Sequence, residues 1–361
     1  MNESDQYELF DEDSVAETEA SASTDTGVTQ EQLTEVLALL RQRFEEIQSE
    51  VGKCMVGASR HTEAALLALF SRGHCLIEGV PGLGKTLFVR ALSRVLDLPF
   101  RRIQFTPDLM PPDITGTTIL QEDGSGHRKL EFVPGPVFTN ILLADEINRT
   151  APKTQSALLE AMQEGQVTAS GKTYTLEEPF LVLATQNPIE QEGTYPLPEA
   201  QLDRFLFQLS VEYPTLEEEK QVVAQHSFTP LDRLETRISR EEILIFRDAV
   251  TMIPAAKNVI DYATRLVRAT RPECPESNES TQRWIRWGAS PRASLNMILA
   301  GRARAACHGR FNVACEDVAA VAPMILRHRI IRSFHADAEG LGSDDLIEKL
   351  LDEVPQDQVQ I

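Results

Sequence analysis

The chain has 361 residues, 42% of them hydrophobic, and a formal net charge of −20 at pH 7. The length predicts two packed units with tails, and the acidic balance argues against nucleic acid as the main partner, because phosphate binding depends on Lys and Arg. Five scattered cysteines without a CxxC pair, and no apolar run approaching about 18 residues, predict a cytoplasmic protein without a membrane span.

The N-terminal segment differs in composition from the rest of the chain. Residues 1–30 are rich in Ser, Thr, Asp and Glu and contain no Lys or Arg, which predicts a disordered acidic tail. Residues 31–50 then carry apolar side chains at three- and four-residue intervals, which is typical of an amphipathic helix. A second helix is predicted at about 60–71.

A glycine-rich segment indicates the ligand class. Residues 79–86 read GVPGLGKT and fit the phosphate-binding pattern G-x-x-x-x-G-K-[ST] in every specified position. Backbone N–H groups of such a loop close around phosphate oxygens, while the lysine reaches the β- and γ-phosphates and the hydroxyl binds Mg²⁺. We therefore expect a nucleoside triphosphate with magnesium. The predicted contacts are Gly79, Pro81, Gly82, Leu83, Gly84, Lys85, Thr86 and Leu87.

From this loop onward, apolar strands alternate with helical stretches, which predicts a parallel sheet covered on both faces. The strand candidates are 74–78, 100–105, 141–145, 181–186 and 205–211. Two of them, 141–145 and 181–186, begin with four apolar residues and end in polar ones. Those polar side chains should lie at the carboxyl edge of the sheet, where open α/β sheets bind ligands.

The strand at 141–145 supplies two carboxylates in sequence, Asp145 and Glu146. An Asp at this position would complete the Mg²⁺ shell with Thr86, and the adjacent Glu would accept a proton from the attacking water. An apolar strand that ends in Asp-Glu is commonplace by itself. Because this strand follows a phosphate loop by about sixty residues, the acid pair is predicted to act on the bound nucleotide.

Two further polar residues admit two interpretations each. Asn187 could orient the lytic water or contact the γ-phosphate, or it could simply begin an Asn-Pro turn. Arg292 follows Ser290 and Pro291 in a predicted helix start, where a cation opposes the helix dipole. It should therefore have an anionic partner, which is either a phosphate or the carboxylate of a surface salt bridge.

Two segments interrupt the alternation of strands and helices. Residues 106–133 carry several turn formers, and residues 165–180 alternate like a β-hairpin around Ser170-Gly171. Beyond residue 215 the pattern becomes helical, which predicts a second domain over 216–335. Residues 336–361 are again acidic and predict a C-terminal tail, although Leu346, Ile347, Leu350 and Leu351 could form a short amphipathic helix.

At this point the chain resembles the MoxR family of AAA+ ATPases over residues 51–330. The words that carry the resemblance are MVG at 55–57, GVPGLGKT at 79–86, TPDLMPPDITG at 106–116, GPVFTNILLADEINR at 135–149, ATQNP at 184–188, EGTYPLPEAQLDRF at 192–205 and GASPRA at 288–293. The resemblance implies a P-loop NTPase of the α/β class: a three-layer αβα core over 31–215 with a five-stranded parallel sheet, and a small all-helical lid over 216–335.

The resemblance also implies roles that the residues alone do not reveal. Asn187 matches the sensor-1 position, Arg292 matches sensor 2, and Arg204 matches the arginine finger that reaches a neighbour's γ-phosphate. Residues 106–133 would be the helix-2 insert and 165–180 the pre-sensor hairpin. Val56 and Gly57 would contact the adenine, although Ala58 stands where family members usually carry Gln.

By this resemblance the protein would be an ATP hydrolase that forms a homo-oligomeric ring, commonly a hexamer, and remodels or matures a partner. That partner is often a von Willebrand A-domain protein, and the work is often metal insertion. Two alternatives stay open: a DNA-acting motor of the same branch, and a regulatory scaffold that binds ATP with negligible turnover. The predicted hairpin at 165–180 carries a single cation, Lys172, which argues against the DNA motor.

Overall fold

The computed structural model describes residues 29–122, 128–169, 171–188, 193–224 and 229–356. Most of the predicted N-terminal tail, residues 1–28, therefore lies outside the described residues, and so do the tip of the helix-2 insert and Ser170 of the predicted hairpin turn. Among the described residues, no helix combines the length and the apolar character needed to cross a membrane.

A five-stranded parallel sheet forms the centre of the first unit, in the order β2-β5-β8-β1-β9. Its strands are β1 (Cys75–Gly79), β2 (Phe100–Gln104), β5 (Ile141–Asp145), β8 (Leu181–Gln186) and β9 (Phe207–Val211). All five strands predicted from the sequence are confirmed, and those at 141–145 and 181–186 have the predicted bounds. Because the strands are parallel, the phosphate loop after β1 and the polar ends of β5 and β8 meet at one edge.

Alternation along each strand divides the apolar side chains between two cores. Cys75, Ile77 and Leu143 belong to one buried cluster, whereas Leu76 and Leu142 belong to the other. The first cluster lies under helices α1 (Gln30–Gly52), α2 (Ser59–Phe70) and α3 (Lys85–Val95). The second lies under α4 (Pro111–Thr115) and α5 (Pro152–Glu164). The sheet is therefore covered on both faces, as its continuously apolar strands require.

The two segments that interrupt the alternation are both β-hairpins. In the predicted helix-2 insert, β3 (Gly116–Glu122) pairs with β4 (Arg128–Pro134), and in the predicted pre-sensor hairpin, β6 (Gln166–Ala169) pairs with β7 (Lys172–Thr175). Phe132 of the first hairpin stacks on Tyr174 of the second, with ring centroids 4.1 Å apart and planes 15° apart. Phe138 packs edge-on against both rings. The hairpins are thus joined at their bases by three aromatic side chains.

The second unit is a helical lid. The short helix α6 (Glu199–Leu202) still belongs to the core, because it precedes β9, and α7 (Leu216–Ala224) follows β9 and leads to the lid. The further elements of the lid are α8 (Arg240–Thr251), α9 (Lys257–Ala269), α10 (Glu279–Trp284), β10 (Ile285–Trp287), α11 (Pro291–Cys307), α12 (Cys315–Leu326), β11 (Ile331–Arg332), α13 (Phe334–Ala338) and α14 (Ser343–Glu353). The short strands β10 and β11 pair antiparallel, a feature that the helical pattern of this region did not predict.

The lid continues past residue 335, where the sequence predicted an acidic tail. The amphipathic helix anticipated near residues 346–351 forms as α14, and Leu346, Ile347 and Leu350 are 0–3% exposed in the lid core. Three buried apolar side chains on one helix face outweigh the acidic composition of the segment, because the charged residues can point to solvent.

Candidate functional site

The loop between β1 and α3 has the geometry of an anion cradle. Gly82 and Gly84 adopt φ values of 86° and 76°, which side chains disfavour, and α3 begins directly at Lys85. The first N–H groups of a helix have no partner within it and carry partial positive charge. A Cβ at Gly79 would lie 2.6 Å from the carbonyl oxygen of Val211, so the strand end also requires glycine. The loop thus offers backbone donors to an anion such as phosphate.

A second loop, between α1 and α2, lies against the phosphate loop. The terminal methyl of Met55 is 3.5 Å from the position that a Cβ on Gly84 would occupy. Gly57 has φ 72°, and a Cβ added to Gly57 would lie 2.9 Å from a carboxylate oxygen of Glu218 in α7. The structure therefore places Val56 and Gly57, the predicted adenine contacts, beside the phosphate loop. Ala58 is buried at the start of α2.

Asp145 and Glu146 stand at the carboxyl end of β5, next to the phosphate loop. One oxygen of Asp145 accepts a 2.5 Å hydrogen bond from the Thr185 hydroxyl, and the same hydroxyl accepts from the Glu146 amide at 2.9 Å. Glu146 has the left-handed values φ 58° and ψ 50°, a conformation that costs roughly 1–2 kcal/mol for a residue with a side chain. Thr185 therefore connects both acidic residues to the neighbouring strand β8, and this bond offsets backbone strain of a kind that is common at functional sites.

Strand β2 supplies partners for both carboxylates. Arg102 donates from Nε and Nη2 to Oδ2 of Asp145 at 3.0 and 2.7 Å, and Gln104 donates to Oε2 of Glu146 at 2.8 Å. Arg149 also approaches Oε2 of Glu146, at 3.0 Å. Both acidic side chains thus accept hydrogen bonds from neutral or cationic donors. These hydrogen bonds must break before the same carboxylate oxygens can bind another group.

Lys85 sits within electrostatic reach of these acids. Partial burial lowers the pKa of its ammonium group, while the carboxylates of Asp145, Glu146 and Glu78 raise it. The ammonium donates to the carbonyl oxygen of Gly79. Asn187, at the end of β8, is 5% exposed. The carboxyl edge of the sheet therefore gathers the predicted lysine, acid pair and asparagine.

This set of donors and acceptors fits a nucleoside triphosphate with Mg²⁺. The open positive-φ loop and the N-terminus of α3 suit phosphate oxygens. The Thr86 hydroxyl and the Asp145 carboxylate are oxygen ligands of the kind that Mg²⁺ prefers. In the described part of the chain, no group of three or more His, Cys, Asp or Glu side chains is arranged to hold a metal ion.

Arg204 and Arg292 lie at the other edge of the sheet. Arg204 comes three residues before β9, which runs parallel to β1 with Phe207 beside Cys75 and Val211 beside Gly79. Four residues of a parallel strand span about 13 Å, so Arg204 and its own phosphate loop are at opposite ends of the strand pair. Its side chain lines a shallow polar depression with Gln201 and with residues of α5.

The carboxylate of Asp203 links Arg204 to the lid. Its Oδ1 accepts from Nε of Arg329 at 2.6 Å, and its Oδ2 accepts from the Ser290 hydroxyl at 3.3 Å. A guanidinium nitrogen of Arg292 stands 3.7 Å from the same oxygen. The anionic partner that the sequence demanded for Arg292 is therefore a carboxylate in this structure. Ser290 occupies the N-cap position of α11 but makes no side-chain capping bond.

The predicted site residues thus form two groups. Lys85, Asp145, Glu146 and Asn187 gather at the carboxyl edge, whereas Arg204 and Arg292 are separated from them at the amino edge. Sequence reasoning missed the residues that hold these groups, which are Arg102, Gln104, Thr185, Asp203 and Arg329. The polar residues Arg102 and Gln104, spaced by two at the end of a predicted strand, were a signal that could have revealed the first pair.

Comparison with known proteins agrees with this architecture. A family model described as "ATPase family associated with various cellular activities (AAA)" matches residues 74–207, and a model of the AAA lid domain matches residues 278–350. A crystal structure of a candidate ATPase from Cytophaga hutchinsonii superposes with a TM-score of 0.80 at 42% identity, covering 89% of this chain and 97% of that one.

Curated relatives give the same assignment. The chain is 44% identical over 310 residues to chaperone MoxR1 of Mycobacterium tuberculosis, covering 86% of this chain and 81% of that protein. It is 32% identical over 304 residues to protein MoxR of Methylorubrum extorquens, covering 80% of this chain and 86% of that protein. With its five-stranded core, its lid and these relatives, the chain belongs to the MoxR family of AAA+ ATPases.

Proposed function

We propose that this protein hydrolyses ATP at the interfaces of a homo-oligomeric ring, a hexamer by the family resemblance, and uses the resulting movement to remodel or mature a partner protein. The observation that carries the proposal is the division of the site. Lys85 and the acid pair lie at the carboxyl edge of the sheet, whereas Arg204 and Arg292 lie at the opposite edge. A complete site therefore needs the amino edge of a second subunit.

Each of the predicted site residues has a chemical role in the proposed hydrolysis. Thr86 and Asp145 would hold Mg²⁺, which neutralises charge on the β- and γ-phosphate oxygens when bound. Lys85 and the loop amides bind the phosphates, and Val56 and Gly57 flank the adenine. Glu146 accepts a proton from the attacking water after it leaves Gln104 and Arg149. Asn187 orients that water.

Arg204 and Arg292 would stabilise charge on the phosphates bound by the neighbouring subunit. Arginine suits this task because its guanidinium stays protonated and presents several donors in a plane. Among the described residues, the Arg204 side chain makes no ion pair, so it is available to an external anion. Arg292 is 45% exposed and its contact with Asp203 is long, at 3.7 Å, so it can exchange that carboxylate for a phosphate.

The surface of the helix-2 insert favours a protein client over DNA. Leu120 and Leu130 face each other across β3 and β4 and are 58% and 69% exposed. An apolar pair at an exposed hairpin suits a polypeptide, whereas DNA binding requires an excess of cations. The two cations of this insert, Arg128 and Lys129, are balanced in the sequence by the acidic residues Glu122, Asp123 and Glu131. The client is a partner protein that the ATPase remodels or matures. Proteins with a von Willebrand A domain are one candidate class, and metal insertion is one form of such maturation.

An ATPase assay on the full chain with Glu146→Gln tests the chemistry. The amide keeps the shape but cannot accept the proton, so we expect turnover to fall by about 10²–10⁴-fold while ATP binding persists. Glu348→Gln, an exposed substitution on α14, is the matched control and should hydrolyse normally. Unchanged turnover in Glu146→Gln would remove Glu146 as the base.

Subunit mixing tests the interface. Lys85→Ala subunits cannot bind phosphate but keep Arg204, and Arg204→Ala subunits keep the phosphate loop but lose the finger. Each preparation alone should be inactive, whereas mixtures should regain part of the activity because one subunit supplies what the other lacks. Absence of recovery at every ratio would contradict hydrolysis at shared interfaces.

A further inference from the structure

One side chain from the lid donates hydrogen bonds to the backbone on both sides of Arg204. Arg329, just after α12, donates from Nη2 to the carbonyl oxygens of Asp203 at 3.0 Å and Phe205 at 2.6 Å. Its Nε donates to the Asp203 carboxylate at 2.6 Å, and its Nη1 to the carbonyl oxygens of Leu206 and Ile325 at 3.3 and 2.5 Å. A single guanidinium thus contacts the residue before Arg204 and the two residues after it.

The burial of Arg329 indicates that these contacts are a specific feature of the structure. The Arg329 side chain is 2% exposed, and a buried charge persists only where it is paired and its donors are satisfied. The acceptors around its planar fork belong to the segment 203–206, apart from the Ile325 carbonyl one helical turn earlier and Nε2 of His328, which stands 2.8 Å from Nη1. The lid could be held to the core by apolar contacts alone, so a buried arginine at this point calls for a separate explanation.

The same carboxylate also receives the second arginine of the amino edge. Asp203 Oδ2 meets the Ser290 hydroxyl and Arg292, both at the start of α11. Ser290 would ordinarily cap its helix, but here its hydroxyl is directed to Asp203. The segments that carry Arg204 and Arg292, one in the core and one in the lid, are therefore connected through Asp203, which Arg329 also contacts.

We infer that Arg329 is a positioning residue that, together with Asp203, sets Arg204 and Arg292 as one pair facing the nucleotide of the neighbouring subunit. This inference rests on the proposed function. Arg329 touches no nucleotide itself. It fixes the backbone from which Arg204 projects, and it ties that backbone to the lid.

The test places Arg329→Lys on one side of the interface at a time. Lysine keeps the charge but replaces the fork by a single ammonium group, which cannot reach the carboxylate and both flanking carbonyls together. In mixed rings, Lys85→Ala subunits supply only the finger and Arg204→Ala subunits supply only the phosphate loop. The substitution is added to either subunit, and the recovered ATPase activity is compared.

We expect recovery to fall at least tenfold when Arg329→Lys is in the finger-supplying subunit, and to stay within twofold when it is in the other. The loss should be in kcat with KM unchanged, because the phosphate loop that binds ATP belongs to the unaltered subunit. A purely structural role would lower recovery equally from both sides. Equal loss from both sides, or no loss from either, would overturn the inference.

Two further variants make the result decisive. Arg327→Lys is the matched control, since Arg327 is also a lid arginine bonded to a backbone carbonyl, that of Gln208 beyond the finger segment, and it should show no side-specific loss. Ser290→Ala removes one contact of Asp203 without removing a helix cap. If Arg329→Lys does not fold, Ser290→Ala decides, with a two- to fivefold loss expected from the finger side only and equal recovery from both sides overturning the inference. If the parent mixture itself shows no recovery, the proposed interface function fails first and this inference falls with it.

Discussion

The two edges of the central sheet are built in different ways. At the carboxyl edge, a short continuous segment makes the phosphate cradle through its own turns, and the acid pair follows directly from the end of β5. At the amino edge, the finger segment depends on side chains from the lid, and Arg329 lies 126 residues along the chain from Asp203. The edge proposed to bind the nucleotide is thus a local structure, whereas the edge proposed to serve a neighbouring subunit is a tertiary one.

This difference predicts unequal sensitivity to loss of a single contact. Asp203→Ala would leave the buried guanidinium of Arg329 without its carboxylate, and removal of one partner of a buried pair costs about 3–5 kcal/mol. We expect the free energy of unfolding in urea to fall by that amount. Asp248→Ala breaks the exposed pair with Arg72 and should cost less than about 1 kcal/mol. Equal effects in the two variants would show that the amino edge does not depend on this pair.

The amino edge should also be the more sensitive to acid. His74, just before β1, is buried, accepts at Nδ1 from the Val182 amide at 3.0 Å and has Nε2 3.0 Å from the Met162 carbonyl oxygen. Burial lowers its pKa to about 4. At a pH between 4 and about 6.5, the ordinary pKa of histidine, His74 is protonated in the unfolded chain but not in the folded chain. The contribution of His74 to stability should therefore be complete above pH 6.5 and fall by about 1.4 kcal/mol per pH unit within that window.

Denaturant unfolding at pH 7.5, 6.5 and 5.5 measures this slope. Burial also lowers the pKa of His328 well below its usual range, so the wild type should lose stability through both residues. His74→Gln should be less stable at pH 7.5 but show roughly half the slope. His335→Gln is the exposed control and should leave the slope intact. A slope unaffected by His74→Gln would assign the acid sensitivity to other groups.

The smallest expected effect is at the carboxyl edge. Arg102 is 46% exposed and donates to Asp145, so under the proposed function it would compete with Mg²⁺ for that carboxylate. An exposed ion pair contributes about 0.2–1 kcal/mol, so Arg102→Ala should lower the Mg²⁺ concentration for half-maximal ATPase activity by about 1.5–5-fold. Arg101→Ala, the adjacent exposed arginine, should leave it unchanged. A higher Mg²⁺ requirement in Arg102→Ala would mean that Arg102 helps the acid bind rather than blocking it.

The contrast also explains what the sequence could predict. The five strands and the position of Asp145 and Glu146 followed from apolar runs and from one contiguous motif, and the structure bears out the fold. The partners of these residues did not follow, because Gln104 meets Glu146 only through the side-by-side register of β2 and β5. Asp203, Ser290 and Arg329 are brought together by the docking of the lid on the core, which no local pattern encodes. The roles assigned to the site residues, including Arg204 and Arg292, remain predictions.

The first of the two apolar clusters has a mechanical consequence. It runs without interruption from one face of the sheet through α1 into α8, α9, α11 and α12, and buried residues of α1 contact both units. Swinging the lid away from the core would open this shared interior to water. In the proposed ring, each subunit should accordingly move as a single rigid body, and the free energy of ATP turnover should change the interfaces between subunits rather than the subunits themselves.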